Sequence, residues 1–321
     1  MKRRSRRRRA DAGRVAAAAL VLGVAGSAAL AGEIAAQPSC GNVRLPLDVS
    51  IGGTPVATLD VGGRRGAFLI DTGATLSAVD AKSYGLVPGS RVDRKVPFCS
   101  PARIAFRAED MGAYRAPAGK QRGRIGTDLL GSLAVVFSYG ESPPSMTVRT
   151  DSPNPASLTA TGLVEVGWRG RTRPAPRETP ASNGVPVIAL AIGPVMVPAQ
   201  LDTGFDDVDD PGILQGDAAL LTALRDRGVA MRPAPSAGTL GCAGVRAYPR
   251  WRIEAAGLAV IAADGTRAAT YPPPLIEIKD DVGCVGIAAS AEPFAQIGAS
   301  WLGRWRTTIL DGSGGEVWIP R

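Results

Sequence analysis

The chain has no histidine among its 321 residues. That absence excludes Ser-His-Asp and Cys-His catalysis, imidazole general bases and zinc sites with histidine ligands. A hydrolase built from this sequence has carboxylates, lysine, or a metal held by acids to work with. Cysteine is scarce, with Cys40, Cys99, Cys242 and Cys284 the complete set. None forms a C-x-x-C pair, which argues against zinc or thioredoxin-like chemistry. Four cysteines allow three pairings. Joining Cys40 to Cys99 and Cys242 to Cys284 closes one loop in each half of the chain, each bridge contributing up to roughly 4 kcal/mol; buried free thiols are the alternative. Aromatic residues are few at 5% and long periodic stretches are rare, whereas 40 glycines and 26 prolines favour many short strands joined by turns. An apolar fraction of 45% suffices for real cores and excludes disorder of the chain as a whole. The length allows one large domain or two of ordinary size.

Charge is unevenly placed. The start, "MKRRSRRRRADAGR", is a dense basic block, and "VAAAALVLGVAGSAALA" after it is an Ala-rich apolar run. That order is expected of a secretory signal peptide over residues 1–31, with "ALA" before Gly32 or "IAA" before Gln37 as a small-residue cleavage site. A weakly apolar run of 17 residues is short for a permanent span, so no stable membrane span is expected once the leader is cleaved; a retained leader would anchor the amino terminus. Removing residues 1–31 takes away 8 of the 37 Lys+Arg and one of the 29 Asp+Glu, leaving 29 against 28. The high pI therefore belongs to the leader, and no nucleic-acid partner is expected. Export to a periplasm or the medium agrees with the cysteine reading.

The remainder reads as a duplicated half. "VATLDVGGRRGAFLIDTGA" is strand, Gly-rich turn and strand with Asp71 at the second strand's end, and "VPVIALAIGPVMVPAQLDTGF" has the same outline up to Asp202. "SAVDAKSYGL" follows the first acid as a candidate short helix, and "LQGDAALLTALRDRG" after the second has helical spacing with a terminal Gly stop. A second pair of segments matches without gaps: "GTDLLGSLAVVFSYG" from Gly126 and "GASWLGRWRTTILDG" from Gly298, each preceded by an isoleucine, Ile125 and Ile297. Each continues through a turn into a closing strand, "SMTV" and "EVWIP". The offsets are 131 residues for the acids and 172 for the glycines, so the second half carries 41 extra residues in its middle. The boundaries read as 32–149 for the first half, 150–184 for a Pro-, Ser- and Arg-rich linker holding a possible strand "GLVEVGW", and 185–321 for the second half.

A D-T-G triplet is expected by chance roughly 0.14 times in a chain of this composition, so one copy is weak and two matched copies are strong. The residue types suit one chemistry. Hydrolysis of an amide by water needs a base to take a proton from water and an acid to protonate the carbonyl oxygen. Two carboxyls held close cannot both ionise easily, so the pair keeps one proton and supplies both functions without imidazole. The titration belongs to the pair, and neither Asp71 nor Asp202 is assigned a fixed acid or base role. Thr72 and Thr203 supply hydroxyls that can brace one loop against the other, and Gly73 and Gly204 let the backbone approach and present an N–H.

"FLIDTGATLSAV" together with "RIGTDLLGSLAVVF" resembles the retropepsin-like group of aspartic proteases, and two such halves in one chain resemble the bilobal, pepsin-like arrangement. The resemblance spans roughly residues 43–149 and 185–321. It implies an all-β fold of two pseudo-twofold-related, barrel-like lobes with short helices, and an exported aspartic endopeptidase acting on peptides as a monomer. Asp71 and Asp202 would form the catalytic dyad, supported by Thr72, Gly73, Thr203 and Gly204, with no metal or cofactor. A β-hairpin flap would lie between Cys99 and Lys120. Tyr114 is there, but reads as a packed or surface tyrosine rather than a flap residue.

The second motif departs from the pattern. It continues "FDDVDD", with Phe205 where Ala or Ser is usual and with Asp206, Asp207, Asp209 and Asp210 close by. As a calcium loop started at Asp207 the run fails, with Pro211 fifth and Ala218 twelfth, so a solvated acidic turn is the expectation. "RAATYPPPLIEIKDD" reads as a lid, a specificity loop or decoration, and Trp301 and Trp305 read as core. Two other functions compete: a peptide-binding protein of the same bilobal fold that hydrolyses little, and an all-β structural module in which each D-T-G is only a turn with Asp as its cap.

Overall fold

The computed structural model describes residues 41–111, 115–116, 119–168, 185–205, 210–241, 244–280 and 292–321, with backbone alone at 99–102, 115–116, 119–120, 239–241 and 244–245. Residues 1–40, which include the expected leader and Cys40, lie outside these residues, as do Cys242, Cys284, Tyr114 and three of the acidic-turn aspartates, and Cys99 is described by its backbone only. The disulfide pairing and the flap tip therefore fall outside the described residues.

The protein is mostly β, with a large mixed sheet and a few short helices. In chain order the strands are β1 (Val43–Asp48), β2 (Val56–Val61), β3 (Arg64–Ile70), β4 (Ala78–Asp80), β5 (Arg91–Val96), β6 (Cys99–Glu109), β7 (Arg115–Ala116), β8 (Gly119–Ile125), β9 (Ala134–Ser138), β10 (Ser145–Arg149) and β11 (Leu163–Trp168). They continue as β12 (Val187–Ile192), β13 (Val195–Leu201), β14 (Leu214–Asp217), β15 (Met231–Gly241), β16 (Gly244–Ile253), β17 (Leu258–Ile261), β18 (Arg267–Tyr271), β19 (Leu275–Lys279), β20 (Ala295–Ile297), β21 (Thr307–Asp311) and β22 (Glu316–Pro320). The helices are α1 (Ala81–Tyr84), α2 (Thr127–Leu130), α3 (Pro155–Ala160), α4 (Ala218–Asp226) and α5 (Ser300–Trp305).

Both D-T-G segments end a hairpin. Gly62 and Gly63, at φ +62° and +81°, close β2 onto β3 through a two-residue turn whose twist matches the strands. The Gly193-Pro194 pair closes β12 onto β13 in the same place of the second half. The last four residues of β3 and the last three of β13 are buried, which drives each acid to a dry strand end.

The matching I-G segments explain themselves in the pairing. β3 runs parallel to β8 with Ile70 opposite Ile125, and β13 runs parallel to β20 with Leu201 opposite Ile297. β4 then lies antiparallel to β8 and parallel to β6, as β14 lies to β20 and β19. Each isoleucine accepts the amide of the neighbouring catalytic candidate, Asp71 N–H to Ile125 O and Asp202 N–H to Ile297 O, both 2.9 Å. The two closing hairpins, β9–β10 and β21–β22, join back to back through β9–β21. One apolar cluster runs through residues of both halves, including Phe68, Ile70, Phe137, Leu201, Trp301 and Ile319.

Three sequence expectations are refined. Helix α4 starts at Ala218, because Leu214–Asp217 are all buried and pair as β14 with two strands; its amphipathic spacing begins only at the Asp217 cap. "RAATYPPPLIEIKDD" supplies β18 and β19 within the sheet, not a lid, and all five residues of β19 are buried. Residues 150–184 hold α3 and β11, which pairs with β22 and β12. Trp301 and Trp305 are core, at 1% and 3% exposure, with the Trp305 indole N–H donating to the Tyr271 hydroxyl at 2.8 Å.

Asp217 caps α4, its Oδ1 accepting the Leu220 amide at 2.7 Å, and burial pushes its pKa up from 3.8 to about 6. The folded state therefore binds this proton more tightly than the unfolded chain does. Its contribution is fully present below pH 3.8 and is lost as pH rises through about 6. In denaturant titrations at a series of pH values, Asp217→Asn, which keeps the cap acceptor, is expected to flatten the fall in stability across that window.

Candidate active site

The two D-T-G loops are locked together by their threonines. The Thr72 amide donates to Thr203 Oγ1 at 3.0 Å, and the Thr203 amide donates to Thr72 Oγ1 at 3.0 Å. Each hydroxyl in turn donates across to the strand before the other acid: Thr72 Oγ1 to Leu201 O and Thr203 Oγ1 to Ile70 O, both 2.6 Å. The set maps onto itself when the two threonines are exchanged. Thr72 and Thr203 are buried, at 1% and 0% exposure, so these four bonds satisfy groups that water does not reach. Thr203→Val would orphan the Thr72 amide and the Ile70 carbonyl and is expected to cost roughly 2–3 kcal/mol. Thr203→Ser, which keeps the oxygen, should cost under about 1 kcal/mol by chemical denaturation.

This clasp sets the acids side by side. Asp71 Oδ1 accepts its own loop's amides from Gly73 at 3.0 Å and Ala74 at 2.9 Å, and Asp202 Oδ1 accepts from Gly204 at 2.9 Å. Asp202 lies near enough to Asp71 to lower its pKa through a side-chain interaction. The glycines are where they are because each lies against the other half's carboxyl. A Cβ on Gly73 would sit 2.1 Å from Asp202 Cγ, and one on Gly204 would sit 2.5 Å from Asp71 Cγ. Thus Asp71, Asp202, Thr72, Gly73, Thr203 and Gly204, six residues from two places 131 apart in sequence, converge at one point.

Burial raises the pKa of Asp71 above the usual carboxylate range, opposed by the Arg124 guanidinium, the Ala74 and Gly73 amides and the interaction with Asp202. A carboxyl that holds its proton beside a second carboxyl is what shared-proton chemistry needs. The pair opens into a cavity of about 360 Å³, whose wall on the Asp71 side is Thr75, Leu76, Arg107, Glu109 and Arg124. Among the described residues, no three of His, Cys, Asp and Glu converge as a metal ion would require.

Phe205, the bulky departure in the second motif, leaves the backbone in place. Its carbonyl accepts the Ala299 amide at 2.8 Å, as the Ala74 carbonyl accepts the Thr127 amide at 2.8 Å. Asp210, the described member of the acidic turn, accepts from Arg250 Nη1 at 2.9 Å and so is tied to the sheet rather than only solvated.

Sequence reasoning missed several neighbours. Asp128 accepts both the Ser77 amide, at 2.9 Å, and the Ser77 hydroxyl, at 2.7 Å, while Ser77 Oγ accepts the Gly126 amide at 3.0 Å. These bonds bolt the D-T-G loop to the I-G segment, and the acid directly after "GT" in "GTDLL" was the available signal. A row of polar residues also crosses the second half in register: Gln200, Gln296, Gln215, Glu277 and Arg250, on β13, β20, β14, β19 and β16. All five are at most 9% exposed. Gln200 Nε2 reaches Asp202 Oδ2 at 3.4 Å; farther along, Gln296 donates to Gln215, and Gln215 to Glu277 at 2.9 Å. Arg250 closes the row with Nε and Nη2 on Glu277 Oε2, at 3.0 and 2.8 Å.

No protein-family model matches the chain, and no curated protein matches it. Among solved structures the chain is similar to the crystal structure of Basic 7S globulin from soybean, at 12% identity, over 88% of this chain and 95% of that one, with a TM-score of 0.44.

Proposed function

We propose that this chain is an exported aspartic endopeptidase that hydrolyses peptide bonds with a water activated by Asp71 and Asp202, in a bilobal fold whose lobes each carry one acid. The observation that carries the reading is the exchanged pair of threonine clasps, which places each carboxyl against the other motif's glycine. A turn used only as structure has no need of a partner turn, and the structural-module alternative leaves that reciprocity without a cause.

In the reaction, water lies between the two carboxyls. The ionised one takes a proton from water as the oxygen bonds to the scissile carbonyl carbon, and the protonated one gives its proton to the carbonyl oxygen. The tetrahedral diol then collapses: a proton passes to the amide nitrogen, the C–N bond breaks, and the pair returns to its single-proton state. The Gly73, Ala74 and Gly204 amides hold the carboxyls in place throughout, and the threonine clasps keep their separation.

The alternative of a peptide-binding protein that hydrolyses little takes its motive from Phe205 and the acidic turn beside the second motif. Digestion of a mixed peptide library from acidic to neutral pH separates the two. Cleavage that pepstatin-type inhibitors block and that Asp71→Asn lacks supports the enzyme. A folded protein that cuts no peptide across that range overturns it in favour of the binder.

A further inference from the structure

We propose that Arg107 and Arg124 form a cationic subsite beside the dyad, and that the preferred substrates are peptides with Asp or Glu next to the scissile bond, on the Asp71 side. This specificity rests on the peptidase reading above.

The subsite follows from register. Ala78 on β4 faces Arg107 on β6 and Arg124 on β8, so two arginines flank one small residue on a single cross-strand row. The equivalent row of the second half holds Glu277, Gln215 and Gln296, all buried, so the basic row belongs to one wall only. Glu109, two residues after Arg107 on the same strand, is the acid between them. Its Oε1 accepts Arg124 Nη2 at 2.9 Å and lies 4.0 Å from Arg107 Nε. One carboxylate for two guanidiniums leaves the cluster with a net charge of about +1.

The two arginines differ in what they can offer. Arg124 is largely committed: its Nε donates to the Leu76 carbonyl at 3.2 Å, its Nη2 to Glu109, and its side chain is 21% exposed. Arg107 is 53% exposed and meets Glu109 only at the outer limit of an ion pair. A planar guanidinium on the rim of the cavity that contains Asp71 and Asp202 matches a carboxylate in bidentate geometry. A substrate lysine or arginine would meet the net positive cluster instead, because Glu109 is already turned towards its two partners. The surrounding sequence has the same sign: residues 41–149 carry 14 Lys+Arg against 9 Asp+Glu, whereas residues 185–321 carry 11 against 15. The field over this wall therefore attracts acidic chain segments.

The test compares the full protein with its Arg107→Gln and Arg107→Glu variants on one peptide library, cleavage sites being read by mass spectrometry. A partly exposed charge-assisted pair is expected to favour Glu over Gln at the subsite by roughly fivefold to tenfold in kcat/KM. Arg107→Gln should erase that preference while cleavage of neutral peptides persists, Arg107→Glu should turn it towards lysine, and raising the salt should weaken it. Cleavage with no acidic preference, or with a preference that Arg107→Gln leaves intact, overturns the subsite and leaves the peptidase standing. If no peptide is cut, fluorescence anisotropy with labelled Glu- and Gln-containing peptides decides separately. Tighter binding of the Glu peptide, lost in Arg107→Gln, sustains the subsite while the peptidase reading falls; equal binding ends both.

Discussion

Asp71→Asn is expected to lower kcat/KM for peptide hydrolysis by roughly a thousandfold to ten-thousandfold, with the fold intact. The reason lies in the shared proton. An amide cannot take a proton from water or give one up as a carboxyl does, so the one carboxyl left can serve as base or as acid but not as both at once. The structure predicts little cost to stability: Asn can present an oxygen to the Gly73 and Ala74 amides, and a buried group whose pKa burial has raised is not missed as an anion. Asp202→Asn should fall by a similar factor. The double variant should be hardly worse than either single one, because residues that act as a unit are not additive. Steady-state kinetics with matched thermal melts provide the check. Residual turnover within tenfold of the parent would place the chemistry elsewhere.

The largest effect on stability is expected from Glu277→Gln. Glu277 is 1% exposed and meets Arg250 at 2.8 Å, Lys279 at 3.1 Å and Gln215 at 2.9 Å. Removing its charge takes a fully buried carboxylate away from two buried cations, Lys279 and Arg250, the second of which also meets Asp210 at 2.9 Å. Breaking a buried pair from one side typically costs about 3–5 kcal/mol, because the remaining charge keeps its desolvation penalty without its partner. Replacing both members, Glu277→Leu with Arg250→Met, should cost less than the sum of the two single changes, since apolar groups of similar size need no partner. Urea unfolding of the four proteins measures the coupling. A Glu277→Gln loss under about 1 kcal/mol would show that water reaches this row.

The two effects separate what the polar groups of this protein do. At the proposed dyad, a pair of carboxyls is held by bonds to backbone amides, and the proposed chemistry uses its being hard to ionise twice. In the row ending at Arg250, the charges compensate one another, and their effect is on stability and register. Asp202 touches both systems through Gln200, which carries no charge, so the row can steady the second carboxyl without altering the charge beside it.

Much of the architecture was legible in local patterns. The Gly62-Gly63 and Gly193-Pro194 breaks mark hairpins because turn geometry depends on a few adjacent residues. The burial of Trp301 and Trp305 followed from their spacing. Leu214–Asp217 were misread because their apolar spacing runs into that of a true helix, and only pairing with β19 and β20 makes them a strand. "RAATYPPPLIEIKDD" left a lid, a specificity loop and decoration open, and only pairing with β17, β14 and β16 makes it two sheet strands separated by the prolines.

By itself the sequence determined the kind of chemistry available. The lack of histidine left carboxylates, lysine or a metal held by acids to a hydrolase, and the two D-T-G stretches, each followed by a matched I-G segment, singled out Asp71 and Asp202 as candidates, the strand-and-glycine spacing around them being repeated closely enough to be paired by eye. Tertiary structure alone decided that Thr72 and Thr203 exchange hydrogen bonds across 131 residues, that each glycine lies against the other motif's carboxyl, and that Arg107, Arg124 and Glu109 gather on one wall. Those contacts depend on which strands become neighbours and in what register, and that is chosen by burial of the whole core, to which no short stretch of sequence has access.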